Sequence, residues 1–478
     1  MYRFLSRLWQ REGGYRQVLI IAIPLIFSTA GIAIQQFVDR MFLAWYSSEA
    51  IAATMPAGVI NYTIINLFIG TAAYVSTFVA QYWGAGLHDR IGPIVWQGFY
   101  IAIFAGVVHL LFIPGAGPFF RMIGHTPEVQ KLEIIYFQII CLGSGFVVAN
   151  AVIAGFFMGL GKTMPVMVVG IMGNIINMIL NYFLIFGNWF FPELGVSGAA
   201  IATVASNVLS FLVFCYLFFG HIDTKRYRLL SGWRFDISLL LRLLRFGLPS
   251  GVQFFLGMIG FALFILLVGR LGTVELAATS IAFNINMLGF MPMTGLGMAV
   301  MILVGQYQGK RQPDLSERSV YSGFYLANIY MISIALAYVL IPGIFLWPFA
   351  VKADAASFKQ IETLVIILLR FVAVYSVFDG MNIIFASGIK GAGDTRFVMV
   401  MIFIFSIFGL TIPTYIALVV LKSSLYVAWM IITIYIIILS FAFLFRFLGG
   451  KWKKMLVIET KPIVASDSTT ADYATASK

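Results

Sequence analysis

The chain has 478 residues, 61% of them hydrophobic and only 10% charged, with a mean hydropathy of +0.96 and a formal net charge of +12. A soluble domain carries about 25% charged residues, so this chain cannot cover a water-facing surface, and lipid must be its main solvent. Its positive charge falls in connecting segments, which excludes a basic nucleic-acid-binding face and fits loops that face anionic lipid.

The first 17 residues, MYRFLSRLWQREGGYRQ, are basic and precede no small-residue cleavage site, so they read as a retained cytoplasmic segment and not a signal peptide. Apolar stretches follow at 18–44, 51–80, 93–115, 133–158, 165–187, 195–219, 246–269, 277–305, 320–342, 363–389, 397–420 and 425–447. Each is long enough to cross a hydrocarbon core of about 30 Å as a helix, whereas membrane barrel strands would give alternating segments of about 10 residues. The predicted fold is an all-α membrane protein of twelve transmembrane helices. Its first six make an N-lobe, 18–219, and its last six a C-lobe, 246–447, with a basic cytoplasmic linker at 220–245. The segment 448–478 is expected to be a disordered cytoplasmic tail, since its end, ASDSTTADYATASK, is polar and low in complexity.

Orientation follows from Lys and Arg. With both termini inside, the inner loops hold Arg3/Arg7/Arg11/Arg16, the run Lys225 to Arg245, Lys310/Arg311/Arg318 and Lys451/Lys453/Lys454. The outer loops then hold only Arg121, Lys131, Arg270, Lys352, Lys359 and Lys422. The reverse orientation contradicts the positive-inside rule.

The chain is duplicated. A shift of 225 positions places Pro24 on Pro249, Ala52-Ala53 on Ala277-Ala278, Asn61 on Asn286, Gly70 on Gly295, Gln81-Tyr82 on Gln306-Tyr307 and Gly84 on Gly309. Further on the shift becomes 232, and Gly159-x-Gly161-x-Thr163 meets Gly391-x-Gly393-x-Thr395. Six spans is an even number, so both repeats enter the membrane in the same sense. They are parallel repeats with a central cavity between them, an architecture suited to alternating access.

Against that symmetry, the ionisable groups within the spans stand out: Asp39, Arg40, His109, Arg370 and Asp379. Asp39 matches Phe264 in the other repeat, and Asp379 matches Val147, so packing symmetry demands neither carboxylate. A carboxylate in low dielectric disfavours its charged form and can take up a proton or a cation; the bland alternative is an interhelical hydrogen-bonding device. Arg40 points about 100° around the helix from Asp39 and is expected to snorkel outward. His109 reads as a satisfied buried histidine. Asn174, Asn177 and Asn181 form a stripe on span five, where Asn177 and Asn181 share a face; amide oxygens there suit a hard cation or proton, or else serve as interhelical glue. Cys141 and Cys215 lie in apolar spans and read as small hydrophobes. Neither they nor His88, His109, His125 and His221 have metal-ligand spacing, so no enzyme chemistry and no cofactor is expected.

Several ordered motifs resemble the multidrug and toxin extrusion (MATE) transporters. The first half contributes Pro24 through VDRMF and then VAQYWGAG; the second contributes GLPSG, VGRLGTVELAA, VGQYQG and FDGMNIIFASGIKGAGDT; GNIINMILN and PELGVSGAAIAT match spans five and six. This resemblance implies a cation-coupled antiporter, driven by H⁺ or Na⁺, exporting organic and chiefly cationic compounds across a bacterial inner membrane, and acting as a monomer. It places Asp39 on the family's first-span aspartate and Asn177, Asn181 and Thr203 on its partners in an N-lobe ion site, where a Na⁺ would sit. Asp379 falls on the C-lobe aspartate, a second ion or substrate group. The span-seven glutamate of several sodium-coupled members aligns with Gly257, which argues against a C-lobe sodium site of that kind. Pro24 removes a backbone hydrogen bond within span one and is the expected hinge. The alternative within the same broad superfamily is a lipid-linked oligosaccharide flippase, which would want cavity arginines to hold a pyrophosphate.

Overall fold

The computed structural model describes residues 9, 11–189, 191–350 and 355–459. Among these, twelve helices are long and apolar enough to cross a membrane. They are α1 (Tyr15–Tyr46), α2 (Ser48–Gly84), α3 (Ile91–Phe112), α4 (Pro127–Gly159), α5 (Met164–Phe186) and α6 (Gly195–Gly220) in the first half. The second half contains α7 (Ile237–Val268), α8 (Thr273–Gly309), α9 (Pro313–Leu340), α10 (Ala355–Ala392), α11 (Thr395–Val420) and α12 (Leu425–Leu448). Short helices at Ala116–Ile123 and Pro342–Ala350 occupy matching places, each between the third and fourth long helix of its half.

Local chemistry explains the helix ends. Ser47 alone separates α1 from α2, and its hydroxyl accepts the Ala50 N–H at 3.0 Å, capping α2. Asp236 caps α7 by accepting the N–H groups of Ser238 and Leu239. These bonds and one from the Ser238 hydroxyl hold its carboxyl below the ordinary carboxylate range. Gly187 closes α5 in the left-handed region at φ 68°, which a side chain would resist. The basic linker is packed against α3: the Tyr227 carbonyl accepts the Gly92 N–H, and the Leu229 carbonyl accepts the Trp96 indole N–H at 2.7 Å.

The two lobes meet at the end of the bundle that carries most of the basic residues and both described chain ends, here the basic end. Their contacts come in reciprocal pairs, as a two-fold axis between repeats requires. Where Gly70 of α2 crosses α7, a Cβ would come within 2.7 Å of the Gly251 Cα; where Gly295 of α8 crosses α1, it would come within 2.7 Å of the Ile26 N. Gly84 lies against the Gln306 carbonyl and Gly309 against the Gln81 carbonyl. The side chains repeat the exchange: Gln81 Nε2 donates to the Gly391 carbonyl (3.0 Å) and Gln306 Nε2 to the Gly159 carbonyl (2.9 Å). On α1 the lobe contacts reach up to Thr29, whose hydroxyl donates to the Met291 carbonyl at 3.2 Å. Beyond that level α1 makes no hydrogen bond to the other lobe among the described residues, and Ile34 and Phe37 are exposed, the separation that a central cleft requires.

One element breaks the symmetry. The stretch after α12, expected to belong to a disordered tail from 448 onward, is packed as far as residue 459. Trp452 is fully buried and stacked on Phe447, with ring centroids 4.9 Å apart, so the chain buries an aromatic where solvation was expected. The Val457 N–H then donates to Gln81 Oε1 (2.8 Å), and Glu459 pairs with Arg242 (3.1 Å) and accepts the Tyr82 hydroxyl (3.2 Å). The polar end of the tail, 460–478, lies outside the described residues.

Because Gly309 abuts the Gln81 backbone, Gly309→Val forces the lobes apart at the basic end. It is expected to cost about 1–3 kcal/mol of stability. Gly257→Val, where a Cβ meets nothing within 4 Å, should leave the melting temperature of the solubilised protein nearly unchanged; equal melting of the two variants would contradict the close crossing.

Candidate ion and substrate sites

Asp39 lies on the outer half of α1, facing α5. Its Oδ1 accepts the Asn181 amide N–H at 2.6 Å. From there a chain of polar groups runs into the lobe. Asn181 Nδ2 also donates to Asn177 Oδ1 (3.1 Å), and Asn177 Nδ2 reaches the hydroxyls of Thr203 (3.5 Å) and Ser206 (3.4 Å) on α6. Thr203 in turn donates to the Ala199 carbonyl (3.0 Å), and Ser206 donates to the Thr203 carbonyl (3.0 Å). The four-residue spacing of Asn177 and Asn181 puts both amides on the face that α5 turns toward α1 and α6. Asn177 is 0% exposed and Asn181 1%, so this network sits in the lobe interior. The sequence-predicted N-lobe residues Asp39, Asn177, Asn181 and Thr203 are thus brought together. Asn174, the third of the stripe, lies apart from this chain: its Nδ2 is buried without a partner, close above Gly31 of α1.

Two features give the cluster chemical character. Among the described residues Asp39 forms no ion pair, and Arg40 is exposed, consistent with a side chain that turns outward. Asn181 Oδ1 is buried with no hydrogen-bond donor. A carboxylate and an unfilled amide oxygen in one hydrogen-bonded cluster leave acceptor capacity free, which is what a proton or a hard cation requires. Pro24 lies in α1 fifteen residues before Asp39, buried next to the crossing of Ile26 with Gly295.

Asp379 of α10 is 9% exposed, and its Oδ1 accepts the Asn382 amide at 3.2 Å. No ion pair reaches it among the described residues. Tyr375, one turn earlier on the helix, is 2% exposed. Arg370, nine residues before Asp379, is exposed and on the opposite face of α10. On α7, Gly257 has open space where a side chain would begin.

Some functional groups escaped the sequence reading. Ser206 belongs to the N-lobe network but is one of many serines in apolar spans. Glu133, fully buried, accepts from or donates to His125 Nδ1 at 2.8 Å, and its Oε2 has no partner. Lys390 is 9% exposed. Both sit at the very ends of their predicted spans, where charged residues are normally solvated. His109 is only half satisfied: Nδ1 meets the Ala105 carbonyl at 2.8 Å, while the buried Nε2 lacks a partner among the Phe68 and Phe112 ring edges. The two cysteines are free; Cys141 is buried and accepts a long contact from the Asn61 amide (3.6 Å).

A two-lobed, twelve-helix membrane fold with parallel repeats about a central cleft and unpaired carboxylates in each lobe is that of a transporter, not an enzyme. The chain belongs to the MatE family, whose model matches residues 24–183 and again 249–416, the two matches beginning at the paired prolines. It is 25% identical over 93% of its length to a Thermotoga maritima protein named "Probable multidrug resistance protein NorM", covering 94% of that protein. A Synechocystis protein of the same name is 27% identical over 81% of this chain and 84% of its own. The fold is similar, with a TM-score of 0.84 and 21% identity over 94% of this chain and 98% of the other, to a solved structure described as an outward-facing conformation of a multidrug resistance MATE family transporter.

Asn177 is the hub of the N-lobe network, so Asn177→Leu removes one of two bonds from the Asn181 amide and one from the Ser206 hydroxyl, which keep only Asp39 and the Thr203 carbonyl. A loss of about 1–3 kcal/mol of stability is expected, read as a lowered melting temperature. Asp39→Asn keeps size and an amide acceptor for Asn181, and should melt closer to the parent; the opposite ranking would contradict the network.

Proposed function

We propose that this protein is a cation-driven antiporter that exports organic compounds, chiefly drug-like cations, across a bacterial inner membrane. The observation that carries this reading is the half-buried Asp39 carboxylate beside the buried, unfilled Asn181 Oδ1, in one network with Asn177 and Thr203 and with no ion pair to Asp39 among the described residues. In this reading the basic end faces the cytoplasm, as the positive-inside rule directs, and both termini are cytoplasmic. The cleft then opens outward. H⁺ or Na⁺ enters it, binds at Asp39 with Asn177, Asn181 and Thr203, and releases substrate held near Asp379. Pro24 leaves the carbonyl four residues earlier without its helical partner, so α1 can bend there when Asp39 is neutralised. A single chain contains both lobes and the cleft, which supports a monomer as the working unit. The relatives are named for multidrug resistance, which supports the substrate class. The exposed, unpaired positions of Arg40 and Arg370 give no arginine cradle for a pyrophosphate, which weighs against the flippase.

Ethidium efflux from proteoliposomes tests this, with a proton gradient and a sodium gradient imposed separately. One gradient should drive efflux; Asp39→Asn and Asp379→Asn, inserted at parental levels, should each lower the rate by at least about tenfold, the scale of one lost charged interaction. Variants that export as well as the parent would refute the assignment. Pro24→Ala restores a backbone donor and should slow gradient-driven turnover while leaving ethidium affinity unchanged; parental turnover would remove the hinge.

A further inference from the structure

We propose that the floor of the cleft holds a cationic subsite, Lys390, that takes the single carboxylate of a substrate. Lys390 is 9% exposed in the last turns of α10, and no carboxylate serves it among the described residues. The aspartate one turn on, Asp394, is already held by Arg446 at 2.7 Å. The Lys390 ammonium instead stands over the Phe254 ring of α7, 5.7 Å from its centroid.

Its direction separates it from a lysine that reaches for cytoplasmic water. Helical side chains lean toward the helix N-terminus, which for α10 is away from the basic end. The partner ring marks the level: Phe254 lies eight residues past the predicted start of its span at 246, about 12 Å along the helix. Phe254 is 48% exposed, and three residues further along the helix Gly257 borders open space. The Oε1 of neighbouring Gln253 is buried without a partner. A half-exposed ring, open space beside Gly257 and two polar groups without partners make a floor built to receive something.

The chemistry of that ligand follows. A buried ammonium without a counter-ion is costly, and an aromatic face offsets only part of the cost, about 0.5–2 kcal/mol. A ligand carboxylate supplies the rest. Asp379 lies eleven residues earlier on α10, about 20° from Lys390 around the helix and about 16 Å along it. A drug-sized zwitterion, with its amine toward Asp379 and its carboxylate toward Lys390, fits this polarity, as a simple cation does not. This deepens the proposed export function by naming zwitterions among its substrates, and rests on that reading for transport though not for binding.

A matched pair of dyes tests the subsite: rhodamine B, a zwitterion, and its ethyl ester, a cation of the same shape. Binding to the purified full chain is read by fluorescence anisotropy with no gradient imposed. Lys390→Met should weaken rhodamine B at least about tenfold, one charge-assisted hydrogen bond, and leave the ester within about twofold; Lys390→Arg should retain both. Ester binding reports that each variant is folded, and Lys390→Gln serves if the methionine variant is not. Equal weakening of both dyes, no change in either, or a parent that binds only the ester or neither dye would overturn the proposal. A parent that binds rhodamine B through Lys390 yet moves nothing under any gradient would sink the antiport reading alone.

Discussion

At the basic end of the bundle, Gln81 and Gln306 each reach across the lobe boundary to a glycine carbonyl at the end of a helix in the other lobe. Everything above depends on this exchange. Backbone carbonyls at helix ends lack intrahelical partners, and burying one unsatisfied costs about 1–3 kcal/mol. Each lobe therefore completes the other's helix ends, α10 through Gln81 and α4 through Gln306. Gly84 and Gly309 permit it, since a side chain at either would strike the opposing glutamine's backbone. Docking at one end by short-range contacts leaves the other end free to separate, which is the geometry a cleft between two lobes needs.

The scaffold is symmetric, but its chemistry is not. The fifth helix of each lobe shows this best. In the N-lobe α5 is a regular helix carrying the amide stripe toward Asp39. Its counterpart α11 is wound with π-helical turns at Phe405–Thr411 and Ile416–Val420 and has no asparagines. In the C-lobe the place of Asp39 is taken by Phe264, 1% exposed within an apolar core. Duplication thus supplied two equal frames, and polar groups were placed in each where the other remains packed with hydrocarbon.

The helices, the repeat and the carboxylates were legible because each rests on a pattern of residues. Twenty-odd apolar residues cannot be anything else in lipid, and a shift of 225 exposes Asp39 at once. The N-lobe partners were legible through spacing and resemblance. What escaped was whatever depends on the depth of a helix end. Lys390 falls one residue past a predicted boundary at 389, yet α10 runs on to Ala392 and its side chain is buried over the Phe254 ring. Glu133 opens its predicted span and is nonetheless fully enclosed. The strap after α12 was missed for another reason: Trp452 stands alone among lysines, the apolar run Met455 to Ile458 is only four residues long, and the surface that buries them comes from both lobes. No local pattern encodes that surface.

These placements tie the cleft to the latch. Residue 390 sets its side chain over Phe254, while its backbone carbonyl accepts the Tyr74 hydroxyl of the N-lobe at 2.7 Å. The next carbonyl, Gly391, accepts Gln81, whose own Oε1 holds the strap through Val457. Opening the basic end must break all of these together, and a ligand changes that balance only by binding the two states unequally. The proposed Lys390 subsite lies where such a difference would act, since one turn of α10 carries both its side chain and the bonds that close the lobes. Occupancy of the floor and closure of the basic end are therefore positioned to act on one equilibrium without any long relay between them.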